Sequence, residues 1–317
     1  MRRKTKIHGG VMVALLLCLF LPIAAKPQLA HALLHRLQQL HWNRFSHAAQ
    51  TPQMATLPNL FFWAWERPED LRFLESRDVG VAFLAKTIYV PVQGENLPQD
   101  AGSSIFVRPR LQPLRVASKT PLIAVVRIET RAGRQPASYS GGNPQYLPQS
   151  AFSPQQDQRL VDEIADLQKL SNIRAIQIDF DATVSERVSY ATLLKDVRGK
   201  LPASLPLSMT ALASWCIGDA WLEQLPLGTI DEAVPMLFRM GPGTGDVTKF
   251  LRSGDEFRAS TCRSSLGLST DESLSNGLLK GTFPSTLSEL HSRRIYVFAP
   301  RAWTRPDAEA VLKEWQP

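Results

Sequence analysis

The stretch from Ala175 to Thr183, "AIQIDFDAT", decides the fold. Ile176, Ile178 and Phe180 alternate with Gln177, Asp179 and Asp181, the period of a strand with one apolar and one polar face. Burying charge is costly unless it is paired or used. A strand whose carboxylates gather at its carboxyl end suits a parallel barrel, because that end opens into the mouth where such folds do their chemistry.

The same beat continues on both sides. Strand-like runs are LFFWAW (60–65), VGVAFLA (79–85), PLIAVVRIET (121–130), AIQIDFD (175–181), PLSMTAL (206–212), EAVPMLF (232–238), SSLGLS (264–269) and RIYVFAP (294–300). Between them lie helix-like segments: RPEDLRFLESR (67–77), SPQQDQRLVDEIADLQKLS (153–171), RVSYATLLKDVRGKL (187–201), GDAWLEQL (218–225), DVTKFLRSG (246–254), SLSNGLLKG (273–281) and TLSELHSR (286–293). PDAEAVLKEW (306–315) closes the chain as a helix. Ser153 and Pro154 are placed as N-cap and first residue of their helix. Strands alternating with helices imply a parallel sheet. Eight such units, without a glycine fingerprint after the first strand, favour an α/β fold of the closed (β/α)8 TIM type over an open doubly wound sheet. KTIYVPV (86–92) and SIFVRPRLQPLRV (104–116) read as a β excursion between strands two and three.

The 317 residues are 44% hydrophobic and 21% charged, an ordinary globular composition. Of the formal net charge of +7, Arg2, Arg3, Lys4 and Lys6 carry four positives ahead of the first acidic residue; without residues 1–25 it would be +3. The remaining charge is scattered, unlike the basic patch of a nucleic-acid binder. MRRKTKIHGG and VMVALLLCLFLPIAA have the charged and apolar regions of a signal peptide, with a retained inner-membrane anchor as the alternative over residues 1–25. Cys18 follows Leu17 rather than a small residue, so it reads as part of the apolar region. Residues 26–58 read as a tether and 59–317 as the barrel. The expected location is periplasmic or secreted, with membrane contact only through the N-terminal segment. Without the leader, Cys216 and Cys262 remain, and an even count in an exported chain suggests a disulfide.

On a barrel, strand ends carry chemistry. Trp63, Trp65 and Glu66 close the first strand, Lys86 follows the second, and Arg127 and Glu129 share a face of the third. Trp215 follows the fifth, Phe238 and Arg239 end the sixth, Asp271 and Glu272 follow the seventh, and Arg301 and Trp303 follow the eighth. Carboxylates ringed by aromatic faces suit a sugar, whose C–H faces stack while its hydroxyls need polar partners. The expected catalytic residues are Asp181 as acid, Asp179 to tune it, and Glu129 as base or nucleophile, with Glu66 or Asp271 as alternatives for the last role. The expected substrate-binding residues are Glu66, Trp65, Arg127, Trp215, Phe238, Arg239 and Trp303.

IQIDFDA is similar to the fourth-strand D-x-x-D-x-D-x-E run of chitinase-like glycoside hydrolase barrels. Asp179 and Asp181 match its central aspartates, and Thr183 stands where that family has its proton-donating glutamate. More closely, the chain from Leu60 onward resembles a bacterial family termed domain of unknown function 3142. The marks are FFWAWERPEDLRFL, AIQIDFDATVSERVSYATLLKDVR, LSMTALASWC and VPMLFRMG. The resemblance implies a glycosidase-like barrel without an established activity.

No HExxH, paired CxxC or Walker sequence occurs, so neither metal nor cofactor is expected. Five of the six histidines precede the barrel, which argues against a Ser-His-Asp triad. GPGTGD (241–246) reads as a loop with Asp246 capping the next helix, or as a phosphate nest. RAGRQPASYSGGNPQYLPQSAF (131–152) would overhang the mouth. Three readings stand: a glycan hydrolase, a silent carbohydrate-binding barrel, and a phosphate-binding barrel enzyme.

Overall fold

The structure is a computed structural model that describes residues 50–75, 77–91, 104–130, 152–282 and 292–315. The described residues all fall within one compact unit, Ala48–Pro317. The leader, the histidines, residues 26–49 of the tether and the loop 131–151 lie outside the described residues. Among the described residues no helix is long and apolar enough to cross a membrane.

Among the described residues there are eleven strands: β1 (Leu60–Ala64), β2 (Glu69–Asp70), β3 (Gly80–Val90), β4 (Phe106–Pro109), β5 (Leu114–Arg115), β6 (Leu122–Thr130), β7 (Ile173–Asp179), β8 (Leu207–Leu212), β9 (Glu232–Met236), β10 (Ser265–Ser269) and β11 (Arg294–Phe298). Eight of them, in the order β1-β3-β6-β7-β8-β9-β10-β11, pair in parallel and close when β11 meets β1. The α-helices among the described residues are α1 (Pro154–Ala165), α2 (Arg187–Lys200), α3 (Ala213–Ile217), α4 (Thr244–Ser253), α5 (Ser273–Leu279) and α6 (Arg305–Glu314). The chain is therefore the α/β barrel that the alternating pattern implied. Residues facing the helices form one apolar core, and a second lies on the axis around Phe61, Trp63, Ile123, Val125, Val234 and Tyr296.

Local chemistry explains the elements. Ser153 accepts from Gln156 N at 3.2 Å while the Gln156 side chain accepts from Ser153 N at 2.8 Å, a reciprocal cap on α1. The glycine-rich segment departs from expectation. Gly241–Gly243 form a 3-10 turn, α4 has Gly243 as N-cap, and Asp246 lies inside its first turn rather than capping it.

The excursion has a structural role. β1 pairs with β3 only as far as Phe83; beyond it, β4 pairs antiparallel with β3 from Lys86 to Tyr89. Arg110, just past β4, then donates to the carbonyls of Ala64, Trp65 and Arg67 at and beyond the end of β1. The segment 67–77, expected as a helix, is not one. Glu69–Asp70 pair with Leu114–Arg115, and Arg72–Leu74 make a single 3-10 turn. Buried Glu69 accepts the Trp303 N–H at 2.8 Å, so tertiary contacts override the local helical pattern.

Residues before β1 cover the barrel floor. Met54 is buried there, and Arg294 donates to Met54 O at 2.6 Å and Pro58 O at 2.9 Å. From this floor a buried polar column rises along the axis. Glu232 accepts from Arg294, Tyr296 and Ser208; Ser208 accepts from Gln177; Gln177 accepts from the Trp63 indole. Trp63 crosses to β10, where a Cβ on Gly267 would lie 3.0 Å from its ring. Any larger residue there would press on the indole, which would have to give way by a few tenths of an ångström.

Candidate active site

β7 supplies both levels of the opening pattern. Gln177 points inward at mid-height and is fully buried in the column, so its polarity is structural. One step up, Asp179 accepts from Thr210 Oγ1 at 2.8 Å and from Arg127 Nη1 at 3.3 Å. The β6–β7 register sets Arg127 beside Asp179. Arg127 also donates through Nε to Glu129 at 3.1 Å and lies 5.7 Å from the Trp65 ring centroid. Asp181 follows the strand end and opens to solvent. Among the described residues it has no hydrogen-bond or ion-pair partner.

These groups wall a cavity of about 650 Å³ at the carboxyl ends of the strands. Asp179, Asp181 and Arg127 form one side, with Thr210 beneath. Trp63, Trp65, Phe238 and Phe298 are its aromatic lining, and Arg67 and Arg239 complete the far side. Phe238 and Phe298 stack with ring centroids 5.6 Å apart. A smaller cavity of about 180 Å³ shares Arg127, Asp179 and Asp181 and adds Glu129 and Thr130.

The electrostatics separate the aspartates. Burial raises the Asp179 carboxyl above its ordinary range, and Glu129 adds to this; Arg127 and the Thr210 hydrogen bond pull it down. Burial within the mouth and then the charge of Asp179 push Asp181 up to about 6, Arg127 opposing. The two titrate as one system. Burial works against the Arg127 guanidinium, but Asp179, Glu129 and Asp181 outweigh it and hold the cation firmly charged. The arrangement offers a solvent-accessible carboxylic acid next to a carboxylate fixed by an arginine.

Of the residues singled out in the sequence, Asp179, Asp181, Arg127, Trp65, Phe238 and Arg239 line the main cavity, and Glu129 the adjoining one. Others are elsewhere. Trp215 is 1% exposed and packs edge-on against Trp221 in the outer core, because α3 turns it away from the mouth. Trp303 is 5% exposed, donates to Trp63 O at 2.9 Å and meets Phe62 edge-on. Neither is a sugar platform. Glu66 pairs with Arg108 at 2.6 Å outside the cavity lining. Lys86 bonds Glu163 on α1 at 2.7 Å, since a bulge between Leu84 and Lys86 turns it outward. Asp271 and Glu272 hold Arg239, through Nη2 at 3.3 Å and the backbone N–H at 2.7 Å.

Thr210, Phe298 and Arg67 were missed. Extending the period-two alternation along "LSMTAL" and "RIYVF" would have found Thr210 and Phe298. Arg67 had no such signal; it donates to Ala299 O and Pro300 O and laces β1 to β11 across the rim.

Cys216 and Cys262 are bonded, with Cα atoms 5.9 Å apart. The bridge forms on the outer wall, where the turn Ser260–Cys262 packs against β9.

Among curated proteins no sequence matches this chain. Among solved structures, the spore cortex-lytic enzyme SleL of Bacillus cereus is similar over 83% of this chain and 75% of its own, at 12% identity and a TM-score of 0.45. Residues 146–239, which run from the approach to α1 through β9 to Arg239 and so include the paired aspartates, match the family model described as "Domain of unknown function (DUF3142)".

Proposed function

We propose that the chain is a glycan-active hydrolase in which Asp181 is the general acid. The observation that carries this is the state of Asp181: solvent-open, unpartnered among the described residues, raised to about 6, and set against an aromatic-lined cavity. A carboxylic acid with a pKa near the working pH is suited to protonating a leaving oxygen. Thr210 and Arg127 fix Asp179, whose charge adds to burial in raising Asp181. Trp65 and Phe238 offer partly open aromatic surface to a sugar ring. We also propose export. The charged and apolar leader supports it, as does the Cys216–Cys262 bond, which persists in oxidising compartments.

The test is release of reducing ends from insoluble polysaccharides and of chromophore from a panel of aryl glycosides. Asp181→Asn keeps the shape but cannot give up a proton, so turnover should fall by about 10²–10⁴-fold with glycan binding retained. Undiminished turnover in that variant would remove Asp181 from the mechanism.

One observation favours a second reading, a silent carbohydrate-binding barrel. The other carboxylates of this wall, Asp179 and Glu129, are both held by Arg127, and Thr183 stands where a glutamate would be the chitinase-like donor. Wild-type protein that binds oligosaccharides without turning over any glycan in the panel would select this reading.

A further inference from the structure

The two sides of the cavity differ in charge. β6 and β7 bring its carboxylates with Arg127 between them, whereas the chain at and beyond the ends of β1, β9 and β11 brings aromatic rings, Arg67 and Arg239. Arg67, Arg127 and Arg239 all line it, but they are not equally committed. Arg67 gives Nη1 to Pro300 O at 2.5 Å and Nη2 to Ala299 O at 2.8 Å. Arg127 is divided between Glu129 and Asp179. Arg239 is held loosely: among the described residues its one ionic contact is Nη2 to Asp271 Oδ2 at 3.3 Å, with the two side chains 57% and 39% exposed. An ion pair that open to water contributes little.

The rest of Arg239 is held in place. Its backbone sits at φ 52°, the left-handed region that non-glycine residues rarely adopt. Glu272 Oε1 accepts its N–H at 2.7 Å, and the guanidinium carbon lies 5.4 Å from the Phe298 ring centroid. A guanidinium lying over a ring keeps its in-plane N–H fork free for a bidentate acceptor. Backbone strain of this kind persists where the surroundings over-determine it, often at ligand sites.

We propose that Arg239 selects glycans bearing an anionic substituent, a carboxylate or sulfate that displaces Asp271 from the guanidinium while the sugar occupies the cavity. The inference rests on the glycan reading above and names the charge class of its ligand. The shared chemistry is a planar or tetrahedral oxyanion on a sugar ring, from a uronic acid or a sulfate ester.

The experiment is isothermal titration with matched pairs: hyaluronan and galacturonate oligomers against their carboxyl-reduced forms, and chondroitin sulfate oligomers against desulfated forms. In the wild type, the acidic member of at least one pair should bind about tenfold or more tightly than its neutral form, and the ratio should shrink as salt is added. Arg239→Gln should bring the ratio close to one. Asp271→Asn removes the competing carboxylate and should widen it, which keeps the inference testable if the first variant folds poorly. The pair that shows the preference tells carboxylate from sulfate. Equal binding of charged and neutral forms in every pair overturns the inference and leaves the glycan reading intact, as does a folded Arg239→Gln protein with an unchanged ratio. Binding to no glycan, charged or neutral, overturns both.

Discussion

Two arginine–carboxylate clusters lie along this barrel's axis, and they are built in opposite ways. At the floor, Arg294 and Glu232 are 0% exposed and meet at 2.7 Å. The remaining Arg294 donors reach Pro58 O, Met54 O and Gln50, while Glu232 also accepts from Tyr296 at 2.7 Å and Ser208 at 3.2 Å. At the mouth, Arg127 is 36% exposed, splits itself between Glu129 and Asp179, and leaves Asp181 beside it without a partner of its own among the described residues. The ion types are the same. Saturation and water make the difference: a cluster with every donor and acceptor matched holds a fold together, and a cluster left one partner short keeps a carboxyl available for chemistry.

The largest effect should come from breaking the floor. Arg294→Met leaves Glu232 buried without its cation, a change that costs about 3–5 kcal/mol. Arg127→Met at the mouth removes a partly exposed cation from Asp179, which keeps its Thr210 hydrogen bond, and should cost less, about 1–2 kcal/mol. Urea unfolding of the two variants side by side measures the contrast. Equal losses would mean that the mouth is as structural as the floor.

The mouth should instead respond in its pH profile. Asp181 titrates near 6 and must be protonated to act as an acid, so kcat/KM on a glycan substrate should fall as pH rises through about 6. Arg127 lowers this pKa, so Arg127→Met should move the falling limb to higher pH, by about one unit for a partly exposed cation. Carbon-13 titration of the Asp181 carboxyl reads the same shift without turnover. A limb that stays put, or moves to lower pH, would separate Arg127 from the acid.

The barrel was legible in the sequence because each parallel strand is a short apolar run bounded by polar turns, and burial on both faces writes that pattern plainly. Asp179 was legible for the same reason, set by the alternation of β7 on the face away from Ile178, and Asp181, two residues on, keeps that side just past the strand end. The pattern could not separate Gln177 from them, since a buried hydrogen-bonded amide and a reactive carboxylate look alike at this spacing. It failed past the strand ends. Trp215 and Trp303 follow their strands by a few residues, where the chain turns and alternation no longer fixes direction. Lys86 was misplaced by a one-residue bulge, which reverses every later side chain of β3. The segment 67–77 carries a helical pattern, yet Glu69 and Asp70 answer to β5, remote in sequence.

A third carboxylate cluster, on the outer wall between α1 and α2, tests what happens when no arginine is supplied. Asp157 lies in the first turn of α1, where the helix dipole favours a negative charge. Its carboxyl is nevertheless raised to about 6, by burial and then by the charge and hydrogen bond of Asp196 on α2. In the unfolded chain the group titrates at about 3.8. Between those values the folded protein holds a proton that the unfolded chain has released. Stability from this site therefore declines as pH rises from about 4 to about 6, and the full penalty persists above that. Asp157→Asn cannot ionise, so it should stabilise the protein at pH 8 by about 0.5 kcal/mol, a small figure because the pair is partly hydrated, and change little at pH 3.5. Urea midpoints at the two pH values measure the difference, and Asp196→Asn, which lifts the charge and hydrogen bond but not the burial, should give a smaller gain that does not add to it in full. A gain of equal size at both pH values would trace the effect to packing or helix propensity, and the repulsion between these two carboxylates would then play no part in the fold.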